Sequence, residues 1–142
     1  MAALVLDANI LVRAVLGRRV RNIVATYGKT AEFFAPDVAF AEAREHLPHV
    51  LAKRQVPVEP NMALPDLLTQ VIQVVDLETY GVFEQAARDR LLRRDPDDWP
   101  VLAAALALSC PIWTEDTDFF GAGVATWTTD RVELLLQEGR NG

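Results

Sequence analysis

Residues 2–6, Ala-Ala-Leu-Val-Leu, form an unbroken apolar run that is closed by Asp7-Ala8-Asn9. A run with no polar alternation suits a strand covered on both faces, which is the habit of parallel sheets, and a parallel sheet in turn requires helical crossovers. The rest of the chain keeps that alternation. Helical spacing predicts helices over 10–16 and 20–28, a short strand over 32–35 ended by Pro36, and a long helical region over 38–55 that Pro48 should bend or split. A helix over 62–70, a β-branched strand over 71–75 and a helix over 80–94 follow. Asp95-Pro96-Asp97-Asp98-Trp99-Pro100 reads as a helix start, because Asp caps orphan amides and proline is tolerated in a first turn; that helix should run to about Ser109. Strands over 111–114 and 124–127 and a closing helix over 129–138 complete the reading. The expectation is an α/β fold in three layers, α/β/α, around a mostly parallel central sheet of about five strands, in a single domain over 1–142.

Bulk properties bound the function. The 142 residues are 51% hydrophobic and 24% charged, with a net charge of −6, which suits a globular chain and argues against broad electrostatic capture of nucleic acid. A nucleic-acid role must therefore rest on a local patch or on bound metal. The apolar stretches are broken well before the roughly 18 residues a bilayer span needs, no cleavable signal pattern opens the chain, and the single Cys110 reads as a small core hydrophobe, so no membrane and a cytoplasmic residence are expected.

Several acids sit at strand ends and helix starts, where a parallel sheet gathers its ligands. Leu6-Asp7-Ala8-Asn9-Ile10-Leu11, then residues 36–42 ending in Glu42, then Asp95-Pro96-Asp97-Asp98, and finally Thr114-Glu115-Asp116-Thr117-Asp118-Phe119 follow one another in that order. Together these segments resemble the ordered signature of PIN-domain ribonucleases, and the resemblance spans nearly the whole chain. It implies that Asp7, Glu42, Asp98 and Asp116 surround Mg²⁺ or Mn²⁺ and hydrolyse RNA, with Asp118 near the ion and with Asn9, Thr114 and Glu45 in support. Many compact members resemble VapC-like toxins, which implies a small antitoxin protein and a homodimer. Glu115 stands where the family usually has a small polar residue such as Asn or Ser.

The chemistry stands without the name. Mg²⁺ takes oxygen ligands and keeps several waters, so a few carboxylates hold it and leave room for a phosphate. Carboxylates about 4 Å apart repel by roughly 4 kcal/mol at an effective dielectric near 20, so their convergence calls for protons or a cation. Raised carboxyl pKa values, and metal binding that weakens as pH falls, are the expected signs.

Each residue has a plainer alternative. In these alternatives Asp7 caps the helix that follows it, Asp98 is a helix cap, a task Asp95 or Asp97 would do as well, and Glu45 competes with Glu42 at i+3. Asp116 is favoured over Asp118 as the direct ligand, and Asn9 is read as orienting Asp7. His46 and His49 are read as surface or packing residues, and Trp99, Trp113 and Trp127 as core. Arg13, Arg18, Arg19 and Arg21 either guide a phosphate backbone or form a solvated face, whereas Arg88, Arg90, Arg93 and Arg94 read as an ordinary exposed face. A PIN-like module that binds RNA or protein without cutting is the rival reading. A receiver or an aspartyl phosphatase fits less well, since the latter expects Asp-x-Asp after the first strand and this chain has Asp7-Ala8-Asn9.

Overall fold

The structure is a computed structural model that describes residues 1–57 and 68–141. Five strands, β1 (Ala2–Leu6), β2 (Ala31–Pro36), β3 (Ile72–Val75), β4 (Ile112–Trp113) and β5 (Thr126–Trp127), form one sheet in the order β3-β2-β1-β4-β5. Every pairing is parallel. The helices are α1 (Ala8–Leu16), α2 (Arg18–Tyr27), α3 (Asp37–Lys53), α4 (Leu77–Tyr80), α5 (Glu84–Arg90), α6 (Trp99–Leu108) and α7 (Val132–Asn141).

Period-two alternation sends neighbouring residues of β1 into different cores. Leu4 and Leu6 join Phe33, Ile72 and Trp113 on one face, beneath Ile10 and Leu11 of α1, Ile23 and Val24 of α2 and Val132 of α7. Val5 and Ile112 face the other way, against Tyr80, Ala87 and the alanine-rich α6. Helices cover both faces, so the expected three-layer α/β arrangement is the one observed. Short side chains at Ala103, Ala104 and Ala105, all buried, let α6 approach the sheet closely.

Several element boundaries differ from the sequence reading, for local reasons. Of the bend or split expected at Pro48, the split does not occur: α3 is one helix through Pro48, held by Leu47 and Leu51, which bury against Val15. The single helix expected over 80–94 is instead α4, a 3₁₀ turn at Gly81–Phe83, and α5. It starts early because Asp76 caps it, accepting from the backbone N–H and the hydroxyl of Thr79 at 3.0 Å each. The closing helix begins at Val132 rather than 129, since the N–H groups of Arg131 and Val132 both turn back to the Thr128 carbonyl, at 3.0 and 2.8 Å. Of the helix expected over 62–70, residues 62–67 lie outside the described residues. Among the described residues no helix is long and apolar enough to cross a membrane.

Leu6 is fully buried and immediately precedes Asp7, so it fixes the end of the central strand. Leu6→Ala is expected to cost about 2–5 kcal/mol, read as a lower urea midpoint with unchanged slope.

Candidate metal centre

The strand order reverses direction at β1, which leaves a crevice between the carboxyl ends of β1 and β4, the switch point where open α/β sheets receive ligands. The register Leu6↔Trp113 brings the next residues, Asp7 and Thr114, side by side there. Asp7 is 7% exposed and Thr114 is wholly buried. One Asp7 oxygen, Oδ1, accepts the Ile10 N–H at 2.9 Å and so caps α1; the other, Oδ2, accepts the Thr114 hydroxyl. Thr114 Oγ1 in turn accepts the Asp116 N–H at 2.9 Å. A hydroxyl has one proton and a backbone N–H only donates, so the Thr114 proton is committed to Asp7. Asp116 Oδ1 then accepts the Asp118 N–H at 2.9 Å and starts the 3₁₀ turn Thr117–Phe119.

From the opposite side comes Asp98, in the 3₁₀ turn Pro96–Asp98 that leads into α6. Asp95 does the capping, accepting the Asp97 N–H at 3.0 Å, and the Asp98 side chain caps nothing. Asp98 Oδ2 is buried without a hydrogen-bond partner. A carboxylate oxygen removed from water and left unpaired is costly, so this placement calls for a cation or a proton. Oxygens of Asp98, Asp116 and Asp118 all lie within 4.8 Å of one another.

The electrostatics follow from this crowding. Burial first, then repulsion from Asp116, Asp95, Asp118 and Glu42, pushes the Asp98 carboxyl up to about 7 from its ordinary 3.8. Burial also raises Asp7, helped by Asp116 and opposed by the Thr114 and Ile10 hydrogen bonds and by Arg13.

Glu42 projects from α3 into the same cavity, about 270 Å³ in volume, where it joins Asp7, Asn9, Asp98, Glu115 and Asp116. Glu45, its rival at i+3, is exposed and is not part of that lining. Glu115 accepts the Thr129 N–H at 2.8 Å, while the Trp113 indole donates to the Thr129 hydroxyl at 3.1 Å. The residue that departs from the expected pattern therefore ties β4 to the segment before α7, a role that no local motif announced. Trp113 is core, as expected, and Trp99 is half-buried beside Tyr80, with the Arg88 guanidinium 5.3 Å above its ring. Of the first arginine cluster, Arg19 pairs with Asp130 at 2.7 Å, and Arg13, Arg18 and Arg21 are exposed. His46 and His49 are exposed too, but they line a groove along α3 beside the cavity. The spacing of Glu42, His46, His49 and Lys53 was the available signal for that groove.

Comparison with known proteins agrees with this geometry. A family model described as the PIN domain matches residues 5–137. The chain belongs to the PIN-domain family. No curated protein sequence matches it. Among solved structures, the fold is similar to VapBC2 from Rickettsia felis bound to a DNA fragment from their promoter, with 16% identity, TM-score 0.68, and coverage of 89% of this chain and 98% of that one. It is also similar to a toxin–antitoxin complex from Klebsiella pneumoniae, with 17% identity, TM-score 0.63, and coverage of 89% and 97%. VapBC-1 from nontypeable Haemophilus influenzae matches with 17% identity, TM-score 0.59, and coverage of 91% and 99%.

In this PIN domain the donors fit a hard divalent ion: all are carboxylate oxygens, they crowd one another, and one is buried without a partner. Each pair of full charges at this separation repels by about 3–4 kcal/mol at an effective dielectric near 20.

Two outcomes follow. Because the folded Asp98 holds its proton more tightly than an unfolded carboxyl, the metal-free fold loses stability as pH rises from about 4 through about 7. Asp98→Asn should therefore raise the metal-free melting temperature at pH 8, by about 3–4 °C per kcal/mol of repulsion removed, and the gain should vanish toward pH 4. Mn²⁺ or Mg²⁺ should stabilise the unsubstituted protein at pH 8 and leave the Asn variant nearly unmoved. Thr114→Val, which strands the Asp116 N–H and a buried Asp7 oxygen, should cost about 1–3 kcal/mol in urea unfolding.

Proposed function

We propose that the protein is a divalent-metal-dependent endoribonuclease, the toxin of a toxin–antitoxin pair, with Mg²⁺ or Mn²⁺ as its cofactor. The observation that carries this reading is the convergence of Asp98, Asp116 and Asp118 at the sheet's switch point, with a buried Asp98 oxygen left unpaired. Structural carboxylates find hydrogen bonds or basic partners when they are buried; the buried Asp98 oxygen has neither, and two further carboxylates face it.

In this reading Asp98, Asp116 and Asp118 hold the ion, and Asp7 completes the acidic ring from the β1 side. When bound, the ion supplies polarisation of the phosphoryl oxygen and a water of lowered pKa. Asp7 cannot swing, because both its oxygens are engaged by Ile10 and Thr114. Thr114 sets the separation of Asp7 and Asp116 through a single oxygen. Glu42, exposed at the cavity rim, orients the attacking water and takes its proton on a carboxylate oxygen. Asn9, at the same rim, positions the phosphate beside Asp7. Asp98 joins this set in its ionised form, so proton and ion compete for it and the centre loses its ion as pH falls.

The partners belong to the same proposal. The related folds of Rickettsia felis, Klebsiella pneumoniae and Haemophilus influenzae occur in toxin–antitoxin complexes, which supports a small antitoxin protein that covers the acid cavity here. A homodimer and a cytoplasmic setting complete the reading. A short reading frame immediately upstream would be its genomic sign.

The test incubates purified protein with defined RNAs, with and without Mn²⁺ or Mg²⁺. Internal cleavage is expected only with metal, and it should fall as pH drops and protons compete with the ion for Asp98. Asp98→Asn and Asp116→Asn should each lower the rate by more than about 100-fold, beyond the 10–100-fold typical of a residue that only orients a ligand. Cleavage undiminished in chelator overturns the proposal.

A further inference from the structure

The acid cavity does not end at Glu42. Asn9 and Val12 of α1, with His46, His49, Val50 and Lys53 of α3, line an adjoining groove of about 400 Å³. Ala8, Asn9 and Glu42 border both spaces, so groove and cavity are continuous. Successive steps of four, three and four residues keep Glu42, His46, His49 and Lys53 on one stripe of α3, about 16 Å long at 1.5 Å per residue. Along that stripe the charge passes from the acids to a lysine. His46, His49 and Lys53 are exposed, and none is paired with an acid among the described residues.

We infer that this groove is a subsite for the single-stranded RNA flanking the scissile phosphate, with Lys53 on a backbone phosphate and the His46 and His49 imidazoles against bases. This rests on the proposed ribonuclease function. A chain of net charge −6 repels a polyanion overall, so a strand reaching the acids needs cationic and stacking groups beside them. Imidazoles stack on unpaired bases, a lysine supplies a phosphate contact, and Val12 and Val50 give an apolar floor. Five of the eight lining residues, Asn9, Glu42, His46, His49 and Lys53, are polar or charged, which suits a nucleotide better than the apolar face of a protein helix.

The test separates the subsite from the chemistry. Binding of a fluorescent single-stranded RNA is followed by anisotropy in protein carrying Asp98→Asn, with Lys53→Ala, His46→Ala or His49→Ala added. Lys53→Ala should weaken binding about tenfold and reduce the slope of log Kd against log salt by about 0.7. Each histidine change should weaken it about fivefold or more. In otherwise unsubstituted protein with Mn²⁺, the same three changes should raise KM for RNA and leave kcat, and hydrolysis of bis(p-nitrophenyl) phosphate, unaltered. If RNA binding and KM ignore all three, the inference falls, even with cleavage intact. Lys53-dependent RNA binding by a protein that cuts nothing would uphold the subsite and sink the nuclease reading.

Discussion

One hydroxyl holds the centre together. Thr114 Oγ1 gives its proton to Asp7, at the end of β1, and accepts the Asp116 N–H, just beyond β4. These two strands are neighbours only because the chain returns to the middle of the sheet after building β2 and β3 on the other side. The interaction therefore converts a topological fact into a chemical distance between two acids 109 residues apart in sequence. It needs a fully buried threonine, because in a wet position water would take either role of the hydroxyl. Valine would fill the same space and carry neither proton nor lone pair.

Around that link the fold tolerates a local conflict. Three carboxylates face one another, and the buried Asp98 oxygen has no donor. Nothing local offsets this; the stabilisation comes from the two cores that clamp the sheet. Tyr80, Leu91 and Phe119 are almost wholly buried behind the Asp98 side, and Phe33 and Trp113 pack as a tilted pair, ring centroids 6.1 Å apart, behind the Asp7 side. Rigid surroundings keep the acids from relaxing apart, and in the proposed metal centre the same rigidity would favour a small hard cation.

Much of this was legible in the sequence because it depends on local rules. The unbroken run before Asp7 announced a strand covered on both faces, and β1 is that strand. Asp95-Pro96 announced the turn into α6, and the reading that Asp95 or Asp97 could cap it as well left Asp98 free for another role; the structure gives the cap to Asp95. What stayed hidden depended on partners distant in sequence. Glu115 looked like a departure from pattern until Thr129, fourteen residues on, supplied a backbone N–H. Asp118 was read as standing behind Asp116, yet its carboxylate shares the triplet, because the turn that Asp116 caps brings it round. Pro48 was read by propensity alone, and the burial of Leu47 and Leu51 outweighed it.

The histidines of α3 illustrate a different limit. Their individual surroundings are bland, exposed side chains on a helix, and a residue-by-residue reading gives them no chemistry. Their meaning comes from direction: the stripe that carries them begins at Glu42 and leads away from the acids beside α1. A metal centre built from anions attracts its cation by charge alone but repels the phosphate it must act on, so the two binding problems have opposite electrostatic solutions. In the proposed reading, placing the acids in a crevice and Lys53 along the helix that leaves it resolves both, since field from Lys53 is screened over a Debye length of about 8–10 Å and so scarcely reaches the acids at the far end of the stripe.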